Sequence, residues 1–202
     1  MLEPDVNGAQ GGTRLQHFRL LAAQIDPAPI LDEIASLENP WDRSTGRQKK
    51  IQVQREARSI PIRGLRKSAI GNLERRDVHE SRYTTTARLL PKTVMFLEDW
   101  ALRLNGELSR AKLVCLPPGH RVHPHIDRGE YCAVRDRYHF VLQSQAGSWL
   151  KTADECVELQ AGELWWFDNK LTHEAFNGGT GDRIHFIFDL KPISSEKARP
   201  HE

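Results

Sequence analysis

From Gly106 onward the chain is written almost entirely in short β segments, each only a few residues long and each closed by turn chemistry, and this narrows the fold more than any other feature. Segments rich in β-branched, aromatic and alternating apolar residues run over Lys112–Leu116, Val122–Asp127, Tyr138–Gln143, Trp149–Thr152, Cys156–Leu159, Glu163–Asp168 and Arg183–Leu190. Between them stand Pro117-Pro118-Gly119, Ala146-Gly147, Ala161-Gly162, Asp168-Asn169 and Gly178-Gly179, residues that turn a chain at little steric cost. Strands this short bury an apolar face only by closing on themselves or by stacking as two sheets.

Two helices precede this region. Asp26-Pro27 reads as an N-cap followed by proline at the first helical position, and Ile30, Leu31, Ile34 and Leu37 then recur at helical spacing. From Pro91 to Gly106, Val94, Leu97, Trp100, Ala101 and Leu104 form one apolar stripe, with Gly106 as the C-terminal stop. Helices ahead of many short strands imply a mainly β fold with flanking helices, a double-stranded β-helix (jelly roll, cupin-like) buttressed from outside. At 202 residues the chain suits one such domain, expected over residues 14–195 after a polar, Gly-rich tail at residues 1–13.

Composition mainly excludes. A net charge of +2 argues for neither a nucleic-acid binder nor an acidic disordered chain. The N-terminus has neither a basic nor an apolar signal region, and no window approaches a membrane helix, so a cytoplasmic protein with no membrane partner is expected. Cys115, Cys132 and Cys156 form no C-x-x-C pair and read as reduced, mostly buried thiols. Charge is unevenly spread: Arg43 to Arg76 holds eleven Lys and Arg against Glu56 and Glu74. A solvated, strand-rich face is the common reason for such a run; an electropositive rim for an anionic substrate is the alternative.

The chemistry concentrates in the strands. In His125-Ile126-Asp127 the two-residue period of a strand puts the imidazole and the carboxylate on one face, where they can meet a single metal ion. Taken alone, His-x-Asp is a weak signal. His173, just after Leu164–Asp168 and its turn, can return beside the first pair and complete a facial triad of two His and one carboxylate, which leaves coordination positions open. Arg183 and His185 share one face of the last strand, with Ile184, Phe186 and Phe188 on the other; Arg137 and His139 repeat the arrangement against Tyr138 and Phe140. An arginine aimed into a barrel is costly without an anion, and its planar fork suits a carboxylate.

These residues resemble the aspartyl/asparaginyl β-hydroxylase-like family of Fe(II)/2-oxoglutarate-dependent dioxygenases, which includes small bacterial amino-acid hydroxylases such as proline cis-4-hydroxylase. The resemblance rests on Cys115-Leu-Pro-Pro-Gly119, His123-Pro-His-Ile-Asp127, Arg137-Tyr-His139, Gly162-Glu-Leu-Trp-Trp-Phe-Asp168, His173 and Arg183, and covers Lys112 to Leu190. It implies that His125, Asp127 and His173 bind Fe(II), that Arg183 holds the distal carboxylate of 2-oxoglutarate, and that Arg137 and His139 face its metal-chelating end. It further implies hydroxylation by O2 of an amino-acid side chain, in a peptide of Asp/Asn type or a free amino acid. The animal peptidyl enzyme lacks the carboxylate ligand, so Asp127 groups this chain with the ordinary three-ligand members. Where that enzyme has a serine for the cosubstrate, this sequence has Val114, and the second partner of Arg183 stays open. The alternative is a cupin-like zinc hydrolase or isomerase, or a non-catalytic ligand-binding barrel, since the same three ligands hold Zn2+; a zinc hydrolase has no evident need of a carboxylate clamp. Substrate identity and oligomeric state are not legible.

Overall fold

The computed structural model describes residues 14–41, 53, 55–65 and 80–193. Among these residues eleven strands form two antiparallel sheets, the architecture the strand pattern predicts. The larger sheet runs in the order β1 (Phe18–Ala22), β9 (Leu164–Phe167), β6 (Asp136–Gln143), β11 (Arg183–Pro192), β4 (Gly106–Leu116), β2 (Arg58–Gly64) and β3 (Arg82–Tyr83). The smaller runs β5 (Arg121–His125), β10 (His173–Asn177), β7 (Ser148–Thr152) and β8 (Glu155–Val157). The tail at residues 1–13 and most of the stretch Arg43 to Arg76 lie outside the described residues.

The helices pack on the outer face of the large sheet. Helix α1 (Ala28–Ser36) starts one residue later than the sequence suggests, with the Asp26 carboxylate accepting the Ala28 N–H at 2.9 Å. Helix α2 (Pro91–Arg103) buries Thr93, Leu97 and Ala101. Its N-terminus is capped from α1, where buried Glu33 accepts the backbone N–H groups of Lys92 and Thr93 and the Thr93 hydroxyl. The helix stop differs from expectation: Asn105, at φ 48°, takes the left-handed position, and Gly106 opens β4. Gly106 is required by contact, since a Cβ there would lie 2.7 Å from the Leu190 Cβ across the sheet. No helix among the described residues is long and apolar enough to cross a membrane.

Side-chain parity divides the large sheet into two surfaces. Tyr138, Phe140, Phe186, Phe188 and Leu190 join Leu97 and Ala101 in the core beneath the helices. Phe18, Val141, Leu150, Trp165, Phe167 and Ala175 form a second core between the sheets. The three cysteines are free; Cys115 is buried and Cys132 partly so, but Cys156 is exposed, so burial of the thiols holds only in part.

Candidate metal and anion site

Cross-strand pairing brings the first two candidate ligands together: β5 and β10 run antiparallel with His173 directly opposite His125, and the ring centroids lie 4.2 Å apart. Each imidazole is anchored through Nδ1 to a carbonyl two residues back, His125 to His123 at 2.8 Å and His173 to Leu171 at 2.9 Å. Both Nε2 atoms are thereby left as lone pairs facing Asp127, the arrangement a metal-ligating histidine needs. Asp127 lies just beyond β5, its N–H donating to Asn169 O at 3.3 Å. Its Oδ1 is 3.9 Å from His125 Nε2 and its Oδ2 4.0 Å from His173 Nε2. The ligand atoms all fall within 4.8 Å of one another, which fits one ion held by two imidazoles and a carboxylate.

The two oxygens of Asp127 have different surroundings. Oδ2 accepts from Arg137 Nη1 and, at 3.1 Å, from Asn169 Nδ2. Burial opposes the charge of Asp127, but Arg137, His173 and the Asn169 hydrogen bond outweigh it and hold the carboxyl well below the usual carboxylate range. His173 moves down to about 4, chiefly through burial and then through His125, so it is neutral near pH 7. Arg137 is bound on its far side by Asp189, Nε to Oδ1 at 2.8 Å and Nη2 to Oδ2 at 3.1 Å. Tyr131 donates its hydroxyl to Asp189 Oδ2 at 3.1 Å and accepts the Arg110 N–H at 2.9 Å.

The cavity beside the three ligands is walled by Val114, Leu150 and Phe167, with Arg137, His139 and Arg183 reaching its surface. Arg183 opens β11 opposite Leu116, is 5% exposed, and leaves Nη2 buried with no hydrogen-bond partner among the described residues. Burial alone draws its pKa down to about 10. His139 joins His185 through their Nδ1 atoms, and both rings are held well below the usual histidine range by burial and then by Arg183. Phe167 stands between the sheets, edge-on to His173 at 5.2 Å and to His139 at 5.0 Å, so the rings His125, His173, Phe167, His139 and His185 run as one ladder.

Five of the six residues singled out in the sequence, His125, Arg137, His139, His173 and Arg183, therefore line one cavity, and Asp127 stands beside it as the third member of the ligand cluster. Asn169, Asp189 and Tyr131 also shape the site and are not among the residues the sequence singles out. Asp189 shares the inward parity of Arg183 and His185 and is within reach of the strand pattern; Asn169 reads only as turn chemistry, and Tyr131 carries no sequence signal.

A family model described as aspartyl/asparaginyl β-hydroxylase matches residues 32–192. No curated protein matches the chain. Among solved structures, the prolyl hydroxylase of Trichoplax adhaerens, in complex with a hypoxia inducible factor peptide fragment, aligns at TM-score 0.57 and 14% identity, covering 87% of this chain and 83% of that one. A 2OG-Fe(II) oxygenase family protein from Burkholderia pseudomallei aligns at TM-score 0.48 and 9% identity, covering 67% of each chain. The first of these supports the jelly-roll fold.

Proposed function

The chain belongs to the aspartyl/asparaginyl β-hydroxylase family of 2-oxoglutarate/Fe(II)-type hydroxylases, and from that premise we propose that it hydroxylates an aspartyl or asparaginyl side chain in a peptide, or a free amino acid, at the site centred on His125, Asp127 and His173. The observation that carries the reading is Arg183: a buried guanidinium whose Nη2 has no hydrogen-bond partner among the described residues, on the same cavity as His125 and His173. A cation kept out of water without a partner is costly, and a dicarboxylate cosubstrate supplies what it lacks.

When bound, Fe(II) with 2-oxoglutarate supplies the reduction of O2 that leaves one oxygen atom in the hydroxylated product and the other in succinate, with CO2 released. His125 Nε2, His173 Nε2 and an oxygen of Asp127 would hold the ion, while the carbonyl anchors on both Nδ1 atoms keep the rings aimed without the metal. Arg183 would orient the cosubstrate through its distal carboxylate. Val114, Leu150 and Phe167 exclude water from the space between.

Succinate release from protein loaded with Fe(II) under anaerobic conditions, then exposed to O2 and 2-oxoglutarate with free amino acids and with Asp- or Asn-containing peptides, tests the proposal. Substrate-stimulated succinate and a product heavier by one oxygen atom are expected. Turnover of a hydrolysable substrate by the Zn(II) form, without 2-oxoglutarate, would replace it with the hydrolase reading.

A further inference from the structure

Family resemblance assigns Arg137 to the chelating end of the cosubstrate, yet its guanidinium is already engaged on both sides. Nε and Nη2 form a two-pronged pair with the carboxylate of Asp189. Of the three N–H groups that remain, one on Nη1 donates to Asp127 Oδ2. The pairing is built into the sheet, because Arg137 and Asp189 are direct partners across β6 and β11. Asp189 is 4% exposed and further held by the Tyr131 hydroxyl.

We infer that Asp189 and Arg137 are a positioning pair that decides which oxygen of Asp127 meets the metal, and that Arg137 is not a cosubstrate contact. The inference rests on His125, Asp127 and His173 being the metal site. With Arg137 and Asn169 both on Oδ2, the oxygen left without a hydrogen bond among the described residues is Oδ1, which faces His125 Nε2 at 3.9 Å. A carboxylate so held presents one oxygen in a fixed direction. Asp189 also answers an electrostatic problem. A lone guanidinium beside a cation site would repel the incoming ion, whereas a guanidinium paired with Asp189 keeps its directional donor and adds no net charge.

Asp189→Asn keeps the shape of the residue and removes the charge that cancels Arg137, and Arg137→Gln removes the donor to Asp127. Calorimetric titration of each purified variant with Mn(II), followed by 2-oxoglutarate titration at saturating Mn(II), separates the two roles. Mn(II) affinity is expected to fall by on the order of 10- to 100-fold in both variants. Cosubstrate affinity at saturating Mn(II) stays at the wild-type value. Arg137→Lys, which keeps the charge and a single donor, falls between wild type and Arg137→Gln and serves as the readout should Asp189→Asn not fold. Unchanged Mn(II) affinity across these variants, or a loss of 2-oxoglutarate affinity at saturating Mn(II), overturns the inference. Asp127→Ala in the same titration judges the underlying site: if it still binds Mn(II) like wild type, the metal site has been misassigned, which is a different failure.

Discussion

His139 and His185 face each other Nδ1 to Nδ1 at 3.3 Å, and the Nε2 of His185 is buried without a hydrogen-bond partner among the described residues. Only one of two neutral rings can donate across that contact. A buried N–H without an acceptor is rarer in folded proteins than an under-used acceptor. The proton of the contact is therefore expected on His185 Nδ1, which leaves Nε2 of His185 a lone pair and forces His139 into the tautomer with its proton on Nε2. Nitrogen-15 correlation spectra of histidine-labelled protein report this directly. A His139 ring protonated on Nδ1 would sink the prediction.

Arg183 is the clearest target for mutation. If it meets the distal carboxylate of 2-oxoglutarate, removing its charge leaves that carboxylate buried alone, at a cost of roughly 2 to 5 kcal/mol. Arg183→Met should then raise the 2-oxoglutarate Kd by about 30-fold to several thousand-fold, with Mn(II) affinity nearly unchanged. Arg183→Lys should fall between. A structural arginine would instead lower the melting temperature and metal binding together, with no selective effect on the cosubstrate.

Acid should destabilise the metal-free protein in two stages. His173 stays neutral in the fold down to about 4, against its ordinary 6.5. Between those values the unfolded chain binds the extra proton, so stability falls as pH drops from about 6.5 towards 4. A lowering from 6.5 to about 4 corresponds to a contribution of at most about 3 kcal/mol from this residue. Asp127, held low in the fold, adds a loss that begins near the unfolded carboxyl value of about 4 and continues below it. Denaturant unfolding of wild type and His173→Gln across pH 7 to 4 checks the sign: the difference between them should shrink or invert on acidification. A constant difference would contradict it.

Removing either imidazole should empty the site without unfolding the barrel. His125→Ala and His173→Ala are predicted to lose stoichiometric Fe(II) and 2-oxoglutarate-dependent succinate release. Near-wild-type metal content in His173→Ala, measured by elemental analysis, would remove that residue from the site.

Much of this was legible because strand parity is strict. Alternation alone put Tyr138 and Phe140, and likewise Ile184, Phe186 and Phe188, on the opposite face from Arg137, His139, Arg183 and His185, and the core beneath the helices is built from the first set. What parity cannot supply is register. That His173 sits opposite His125, and Asp189 opposite Arg137, depends on how far strands distant in sequence slide before they pair. Strand β2, Arg-Ser-Ile-Pro-Ile-Arg-Gly, carries a proline mid-run, an argument against a strand that its place between β4 and the two-residue β3 overrides. The short β1, Phe-Arg-Leu-Leu-Ala, has no clean alternation and is defined by pairing with β9.

The ladder of rings has a consequence for anyone who would redesign this chain. Phe167 is the rung shared by His173 on one sheet and by His139 on the other. A smaller residue there lets the ligand wall and the anion wall settle towards each other, and a larger one wedges both apart. Retuning one half of the pocket through this position retunes the other, so new substrates are better sought by changing side chains away from the shared rung.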